Sequence, residues 1–386
     1  MASVRLLSKV ANGSPSAIIK FYRTTGYGSP LSNSHGRLIP AANQCKVNVQ
    51  LLRISSTSPD TNNSNVVHPA NGNNGLPINS NSTASHTTSI NKLLPVYLQI
   101  SKIRLTGLVL LTSIGGYLLA PGDTVLSSLL CTSLGVGLSG CSANAINQWL
   151  EVPYDSQMAR TRNRVLVKGL ITPVHAMTFA TLSGISSVSL LYYAVNPLTA
   201  YLAALNIFLY TCIYTPSKRL GIGNTWLGAI VGALPPLMGW AAKTGGIDIG
   251  GLALAGILYS WQFPHFNALS WNLKADYSRA GYRMMAVTHP ELCRRVSLRH
   301  TLALTLLSCL LPICQLTPWW FALYSLPTNA WFTWLAWRFH KDANNQSARK
   351  LFRFSLYYLP LIIGTMFVSK LIHRDEKPKQ EKDDKN

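Results

Sequence analysis

The chain has 386 residues, a formal net charge of +21 and only 12% charged residues, against about 25% in ordinary soluble domains. With a mean hydropathy of +0.17, that basic excess leaves two classes, a nucleic-acid binder or a multi-span membrane protein. The distribution excludes the first, since nucleic-acid binders carry basic patches on an otherwise polar fold and here long apolar stretches alternate with short basic ones.

The first 91 residues are different material. Residues 1–90 hold seven Lys/Arg and one acid, Asp60, among many Ser and Thr. MASVRLLSKV and SAIIKFYRTT mix basic and apolar residues as an amphipathic targeting helix does, and no uninterrupted apolar core of a secretory signal is present. That composition predicts a mitochondrial presequence. The run 55–91 is polar and of low complexity. It has too little to bury and reads as a disordered spacer. The NST at 81–83 is a formal glycosylation sequon that a mitochondrial route would leave unused.

From residue 92 to about 370 the chain reads as one membrane-embedded domain. About 20 apolar residues cross a hydrocarbon core as helix, and nine such stretches lie near 96–119, 124–150, 171–195, 197–214, 224–242, 249–271, 296–316, 318–337 and 352–370. The third and fourth are separated only by Asn196-Pro197, the seventh and eighth by Pro318. The connections 151–170, 215–223, 272–300 and 338–353 hold 17 Lys/Arg, and those on the opposite side hold one, Lys243. This split is a positive-inside signal and supports nine spans. The charged tail, residues 371–386, is close to neutral. The expected fold is an all-α polytopic membrane protein with about nine transmembrane helices.

Seven cysteines show no CxxC pair and mostly fall inside spans; they read as small buried residues. The acids are more informative. Outside the leader and tail there are seven: Asp123, Glu151, Asp155, Asp248, Asp276, Glu291 and Asp342. Carboxylates near hydrocarbon are costly and tend to be functional. Asp123 and Asp248 sit in short loops on the far side and read as solvated. Glu151, Asp155 and Asp276 lie on the basic side, just past spans two and six.

Asn147, Glu151 and Asp155 are spaced by four, which on a helix puts three oxygen ligands on one face, with Asn144 about one turn earlier. Pro153 disfavours helix at Val152, so the helix is expected to end or kink near Trp149–Val152. Hard oxygen ligands on one side of a site suit Mg²⁺, which bridges carboxylates to substrate phosphates. Arg160, Arg162, Arg164, Lys168, Lys218 and Arg219 stand on the same membrane face and would grip the remaining phosphate oxygens. The plain alternative is that RTRNR at 160–164 is a topogenic run facing lipid headgroups.

These residues carry a resemblance. Asn147…Glu151…Asp155, followed by Met158, Arg160, Thr161 and Arg164, resembles the NxxxDxxxD and MxRTxxR signature of the UbiA-type intramembrane prenyltransferases. VLVKGLITP at 165–173, WQFPHFNALSW at 261–271 and DYSRAGYRM at 276–284 are similar to the haem O synthase branch of that family, and YTPSKR at 214–219 resembles the family's loop after span four. The match covers about 92–370. Glu151 stands where the family has an aspartate, and Asn272 where many relatives have the first acid of a second DxxxD, so three carboxylates are available rather than four.

The resemblance implies farnesyl diphosphate and haem B as substrates, in the mitochondrial inner membrane with the basic side facing the matrix. It implies Asn147, Glu151, Asp155 and Asp276 as catalytic residues, with Mg²⁺ held by Glu151, Asp155 and Asp276. Substrate contacts would come from Arg160, Arg164, Lys168, Lys218, Arg219, Asn144 and Tyr214. His265 is the natural haem candidate, with Trp261, Phe263 and Phe266 beside it as stacking partners; His175 and His289 are weaker. Membrane lipid is the surrounding partner, nucleic acid is not expected, and contacts with other haem A biosynthesis or oxidase-assembly proteins or with a second copy of the chain stay open. GAIVG at 228–232 reads as a GxxxG helix-contact surface. Pro235-Pro236 is expected to break span five, where the freed backbone is buried in protein or faces a cavity and helps shape the substrate chamber. Trp319, Trp320, Trp331, Trp334 and Trp337 look like interfacial anchors. The rival readings are a different aromatic acceptor such as 4-hydroxybenzoate in the same fold, a mitochondrial anion carrier, and a respiratory-complex assembly scaffold.

Overall fold

A computed structural model describes residues 90–313 and 316–383; the presequence, most of the spacer, Cys45 and Cys314 lie outside these residues. The described residues form helices and no strand. In chain order they are α1 (Ile90–Ile100), α2 (Ile103–Leu119), α3 (Leu126–Asp155), α4 (Pro173–Ala194), α5 (Pro197–Phe208), a π-helical turn (Leu209–Tyr214), α6 (Thr215–Leu220), α7 (Asn224–Thr244), α8 (Ile249–Asn272), α9 (Lys274–Arg279), α10 (Met285–Thr288), α11 (Pro290–Ile313), α12 (Trp319–Asp342) and α13 (Asn345–Asp383).

Each of the nine apolar stretches is occupied by helix. Six helices are long and apolar enough to cross a membrane, or seven if the bent pair α1–α2 is one span. The two outside that group, α8 and α12, are each 24 residues long but carry Trp, His, Asn and Gln or Lys and Arg in place of aliphatic residues. Length and composition by themselves establish six or seven crossings. Leu126, Leu130 and Leu134 line one exposed face of α3, and Leu302, Leu306, Leu310 and Ile313 do so on α11. Apolar stripes of this extent belong against lipid.

Helix starts follow local chemistry. Asn196 caps α5, accepting from the Thr199 N–H at 2.8 Å and donating from its amide to Ala241 O at 2.9 Å, so the brief Asn-Pro connection both ends α4 and ties α5 to α7. Asp248 caps α8 by accepting from the Gly250 and Gly251 N–H groups, a structural task for an acid that reads from sequence as solvated. The described cysteines form no disulfide.

Two expected breaks do not occur. α3 runs through Pro153 to Asp155. The proline removes one backbone donor near the helix end, and Gln157 and Ser156 side chains satisfy the Pro153 carbonyl at 2.9 and 3.1 Å. α7 likewise runs through Pro235-Pro236. Both prolines are buried, and α2 lies against them at Gly116.

α7 packs on α2, α5 and α8, α8 on α11 and α13, and α13 on α12 and α2. A large core fills the space among α8, α11, α12 and α13 with Phe263, Phe321, Phe332, Phe339 and Tyr358, all fully buried. The α2–α7 crossing is the tightest. A Cβ on Gly239 would stand 1.8 Å from Ser113 O, and one on Gly116 would stand 2.0 Å from Pro236 O. Backbone cannot yield as a side chain does, so Gly239→Ala is expected to cost about 3 kcal/mol, the upper end for overpacking. A lowered thermal midpoint of the detergent-solubilised protein is the check.

Candidate active site

The polar face of α3 is built by helical periodicity. Asn144, Asn147, Glu151 and Asp155 fall on one side at spacings of three and four, and all are buried. A buried carboxylate needs a cation and hydrogen bonds to stay charged. Here the cations come from three separate places in the chain.

Arg164, in the turns after α3, donates to Glu151 Oε2 at 3.2 Å and to Asp155 Oδ2. Thr161 Oγ1, buried, donates to the Asp155 main-chain oxygen at 3.0 Å and fixes the return of the chain. Lys218 of α6 donates to Glu151 Oε1 at 2.6 Å. Its ammonium lies 4.5 Å from the centroid of the Tyr214 ring. The π-helical turn that precedes α6 sets this up, because one extra residue per turn rotates Tyr214, Thr215 and Lys218 towards α3; such turns are frequent at functional sites. The third cation is Lys102, which donates to Asn147 Oδ1 at 2.5 Å, while Asn147 Nδ2 donates to Thr215 Oγ1 at 3.1 Å.

Lys102 sits at the 56° break between α1 and α2. Its backbone is left-handed, with φ 48°, a conformation that costs a non-glycine residue of the order of 1 kcal/mol. Sequence reasoning missed Lys102, although a lone cation inside an apolar stretch was a usable signal. Burial opposes the charge on Arg164, but Asp155 and Glu151 outweigh it and hold its pKa above the ordinary arginine value. Arg164 and Lys218 thus face two carboxylates, and the Lys102 amine stands beside them on Asn147.

The stretch after α8 closes the cluster. Tyr277, Tyr282 and Met284 pack with Met158, Tyr154, Phe266 and Leu273. Arg283 N donates to Lys218 O at 2.9 Å, and Asn224 Nδ2 donates to Arg283 O at 3.2 Å. Tyr282 is buried with its hydroxyl unpartnered among the described residues, and burial raises its pKa. Segments 147–164, 214–219 and 276–284, distant in sequence, therefore meet.

Other residues singled out from sequence stand apart. Asp276 is half-buried and pairs with Arg279 of its own short helix at 3.5 Å. No group of three His, Cys, Asp or Glu able to hold a metal occurs among the described residues, so the expected trio of Glu151, Asp155 and Asp276 is not assembled here. Arg160 and Lys168 are exposed. Arg219 donates to the Tyr154 hydroxyl at 2.7 Å and covers its ring at 4.6 Å. Asn144 donates to Thr106 Oγ1 at 3.0 Å and Ser101 O at 3.3 Å, holding α2 against α3.

His265 faces α13. Its Nδ1 bonds Ser355 Oγ at 2.8 Å, and its ring stacks on Trp261 at 4.6 Å. Trp261 Nε1 donates to Ser355 O at 2.8 Å, so this side of α8 is fastened to α13. Phe263 is fully buried and stacks on His300 at 3.7 Å, a histidine that sequence reasoning passed over. His175 bonds the Tyr97 hydroxyl at 2.7 Å, and His289 bonds Thr288. The two glycines of GAIVG are contact points: a Cβ on Gly228 would meet the Tyr214 ring at 2.8 Å, and one on Gly232 would meet Gln262 at 2.1 Å.

Glu151 and Asp155 with the Asn147 amide oxygen form a hard-oxygen donor set. Two carboxylates with no third acid are too few for an all-protein cage. They suit Mg²⁺, which takes one or two carboxylates, keeps waters and shares the rest of its shell with substrate phosphates. The residues present fit that ion.

The UbiA prenyltransferase family model matches residues 109–359. A curated human relative, protoheme IX farnesyltransferase, mitochondrial, is 55% identical over 272 residues, covering 70% of this chain and 61% of that protein. The chain thus spans about three-fifths of the length of this relative. Among solved structures, one described as a digeranylgeranylglyceryl phosphate synthase superposes with TM-score 0.63 at 16% identity, covering 72% of this chain and 98% of that one. A UbiA homologue from Archaeoglobus fulgidus bound to DMAPP and Mg²⁺ superposes with TM-score 0.51 at 15% identity, covering 71% and 98%.

Proposed function

This chain belongs to the UbiA prenyltransferase family, and we propose that it transfers the farnesyl group of farnesyl diphosphate to a vinyl group of haem B, giving haem O. The observation that carries the reading is the convergence of two buried carboxylates with Lys102, Arg164 and Lys218 at one end of α3. The acceptor rests on the high identity to the human protoheme IX farnesyltransferase. Residues 1–91 would act as presequence and spacer, 92–370 as the enzyme in the mitochondrial inner membrane with its basic side towards the matrix, and 371–386 as a charged tail.

Glu151, Asp155 and Asn147 would hold a magnesium ion, whose part is to neutralise charge building on the leaving diphosphate. Arg164 and Lys218 now spend their charge on those carboxylates. With the carboxylates otherwise engaged, both cations, and Lys102 beside them, turn to phosphate oxygens, where arginine forks and lysine point charges are effective. The bond between the allylic carbon and oxygen breaks with its electron pair leaving on diphosphate. The vinyl π pair of haem then forms the new carbon–carbon bond to the farnesyl cation. Water adds its oxygen to the porphyrin side-chain cation and loses a proton, which completes the hydroxyethylfarnesyl group. The residues of the chain serve this by excluding bulk water and offering ring faces to the cation; Tyr154, Tyr214, Tyr277 and Tyr282 wall the cluster.

Membranes carrying the protein are incubated with haem B, farnesyl diphosphate and Mg²⁺, and the haems are extracted. A more retained haem, heavier by a hydroxyfarnesyl addition and absent with EDTA, is expected. Unmodified haem with prenylated 4-hydroxybenzoate would move the acceptor to the aromatic rival. Unmodified acceptors throughout, in well-folded protein, would move the reading to an anion carrier.

Gly228→Ala tests the placing of Tyr214. Pushing that ring moves the support under Lys218, and displacements of this kind cost catalysis steeply. The KM for farnesyl diphosphate is expected to rise roughly tenfold with the KM for haem B and the membrane level unchanged.

A further inference from the structure

A second cationic centre lies on the basic side of the membrane domain, outside the cluster on α3. Trp271, buried at the end of α8, carries the Lys274 ammonium 3.0 Å from its ring centroid and the Arg294 guanidinium of α11 at 6.0 Å. Arg294 Nη1 donates to His340 O on α12. Its Nε is buried and unpartnered among the described residues, as is His340 Nδ1.

Carboxylates that could answer these charges are committed elsewhere. Asp276 pairs with Arg279, Glu291 with Arg295 and Asp342 with Arg338. Neither Lys274 nor Arg294 meets a carboxylate among the described residues. Burial, and with it the charge of Arg294, holds the Lys274 ammonium below its ordinary pKa. Most other cations of this face, among them Arg160, Arg162, Lys168, Arg299, Arg349 and Lys350, are exposed, and a topogenic role asks no more of them. Two half-buried like charges sharing one ring without an acid are instead a binding site for an anion.

The surroundings say which anion. Below the cations the wall is aromatic and apolar, with Trp271 edge-on to Phe339 at 5.1 Å and Phe339 fully buried. Leu273, next to Lys274, packs into the Met158–Tyr277–Tyr282 cluster that closes the carboxylate site, so the two centres are neighbours. A ligand serving both would have an apolar body reaching the α3 cluster and an anionic group at its opposite edge.

We infer that Lys274 and Arg294, seated on Trp271, bind the propionate carboxylates of the haem acceptor and so orient its vinyl edge towards the farnesyl diphosphate held on α3. The inference rests on haem B being the acceptor. It assigns the porphyrin's polar edge to the α8–α11–α12 corner and does not use His265.

The full chain in phosphatidylcholine vesicles is assayed as wild type, Lys274→Met, Arg294→Met and Lys274→Arg. The acceptors are haem B and its dimethyl ester, whose propionates are capped, and binding is read separately from the Soret band. Each Met variant is expected to weaken haem B binding and raise its KM roughly tenfold, the size of one lost charge-assisted contact. The KM for farnesyl diphosphate should be unmoved, Lys274→Arg should restore haem B, and the ester should bind wild type and Met variants alike. Wild type that handles the ester as well as haem B, or variants that lose equally on both, would overturn the inference. So would variant losses that appear only in vesicles containing phosphatidylglycerol, since the anion would then be a lipid headgroup. Wild type that farnesylates no haem in any form fails at the earlier step and removes the acceptor reading itself.

Discussion

Membranes containing Asp155→Asn are expected to make haem O about 10²–10³-fold more slowly than wild type, the usual cost of removing one preorganised electrostatic contact from a reacting centre. The substitution keeps shape and one hydrogen-bond acceptor for Arg164, and Arg164 keeps Glu151 at 3.2 Å. Membrane level and thermal midpoint should therefore change little. A scaffold would tolerate the substitution, and a carrier would show no prenylated product from either chain. Asp276→Asn in parallel decides the third carboxylate. Asp276 is paired with Arg279 of the same short helix and stands outside the cluster, so less than a tenfold loss is expected. A loss as large as that of Asp155→Asn, with a raised Mg²⁺ requirement, would bring Asp276 into the site once substrate is bound.

Lys218→Met is expected to damage folding and activity together. The Lys218 ammonium and Glu151 carboxylate are both buried and 2.6 Å apart. Removing one member strands the other, which costs on the order of 3–5 kcal/mol in buried pairs. Arg164 and Lys102 remain nearby, so the lower end is expected, read as a lowered thermal midpoint in detergent. Lys218→Met combined with Glu151→Gln should recover most of the stability, because no lone charge is then buried. It should not recover haem O formation. Non-additive stability with additive or worse activity separates the structural part of the pair from its part in holding metal and diphosphate. Recovery of both would mean that Lys218 and Glu151 matter only as each other's counter-ions and that neither holds metal or diphosphate.

Much of the candidate site was legible in the residues. The spacing of Asn147, Glu151 and Asp155 already implied one helical face, since helix period is a local property. Arg164 and Lys218 stood out because a membrane chain with few acids near its spans concentrates meaning in each charged group. Lys102 was lost inside an apolar stretch, since nothing local tells that α1 and α2 bend apart by 56° at that residue and aim it at Asn147. His265 was favoured for its motif, yet its direction around α8 is a matter of which neighbour lies there, and that neighbour is α13. The breaks expected at Pro153 and Pro235-Pro236 did not form, because a proline removes a single bond and surrounding contacts can hold the helix through it.

The amino-acid sequence by itself determined the class of molecule, helices that must satisfy their own backbone in hydrocarbon, and the basic side on which the charges gather. It also determined which residue types were present to bind a metal and a diphosphate. Only the tertiary structure decided which of them meet. Arg164 closes on both carboxylates, Asp276 turns to Arg279, and Lys274 and Arg294 are left together over Trp271 without an acid. The reason is physical: periodicity fixes a residue's face on its own helix, whereas the partner across that face is set by long-range packing, which no local pattern encodes.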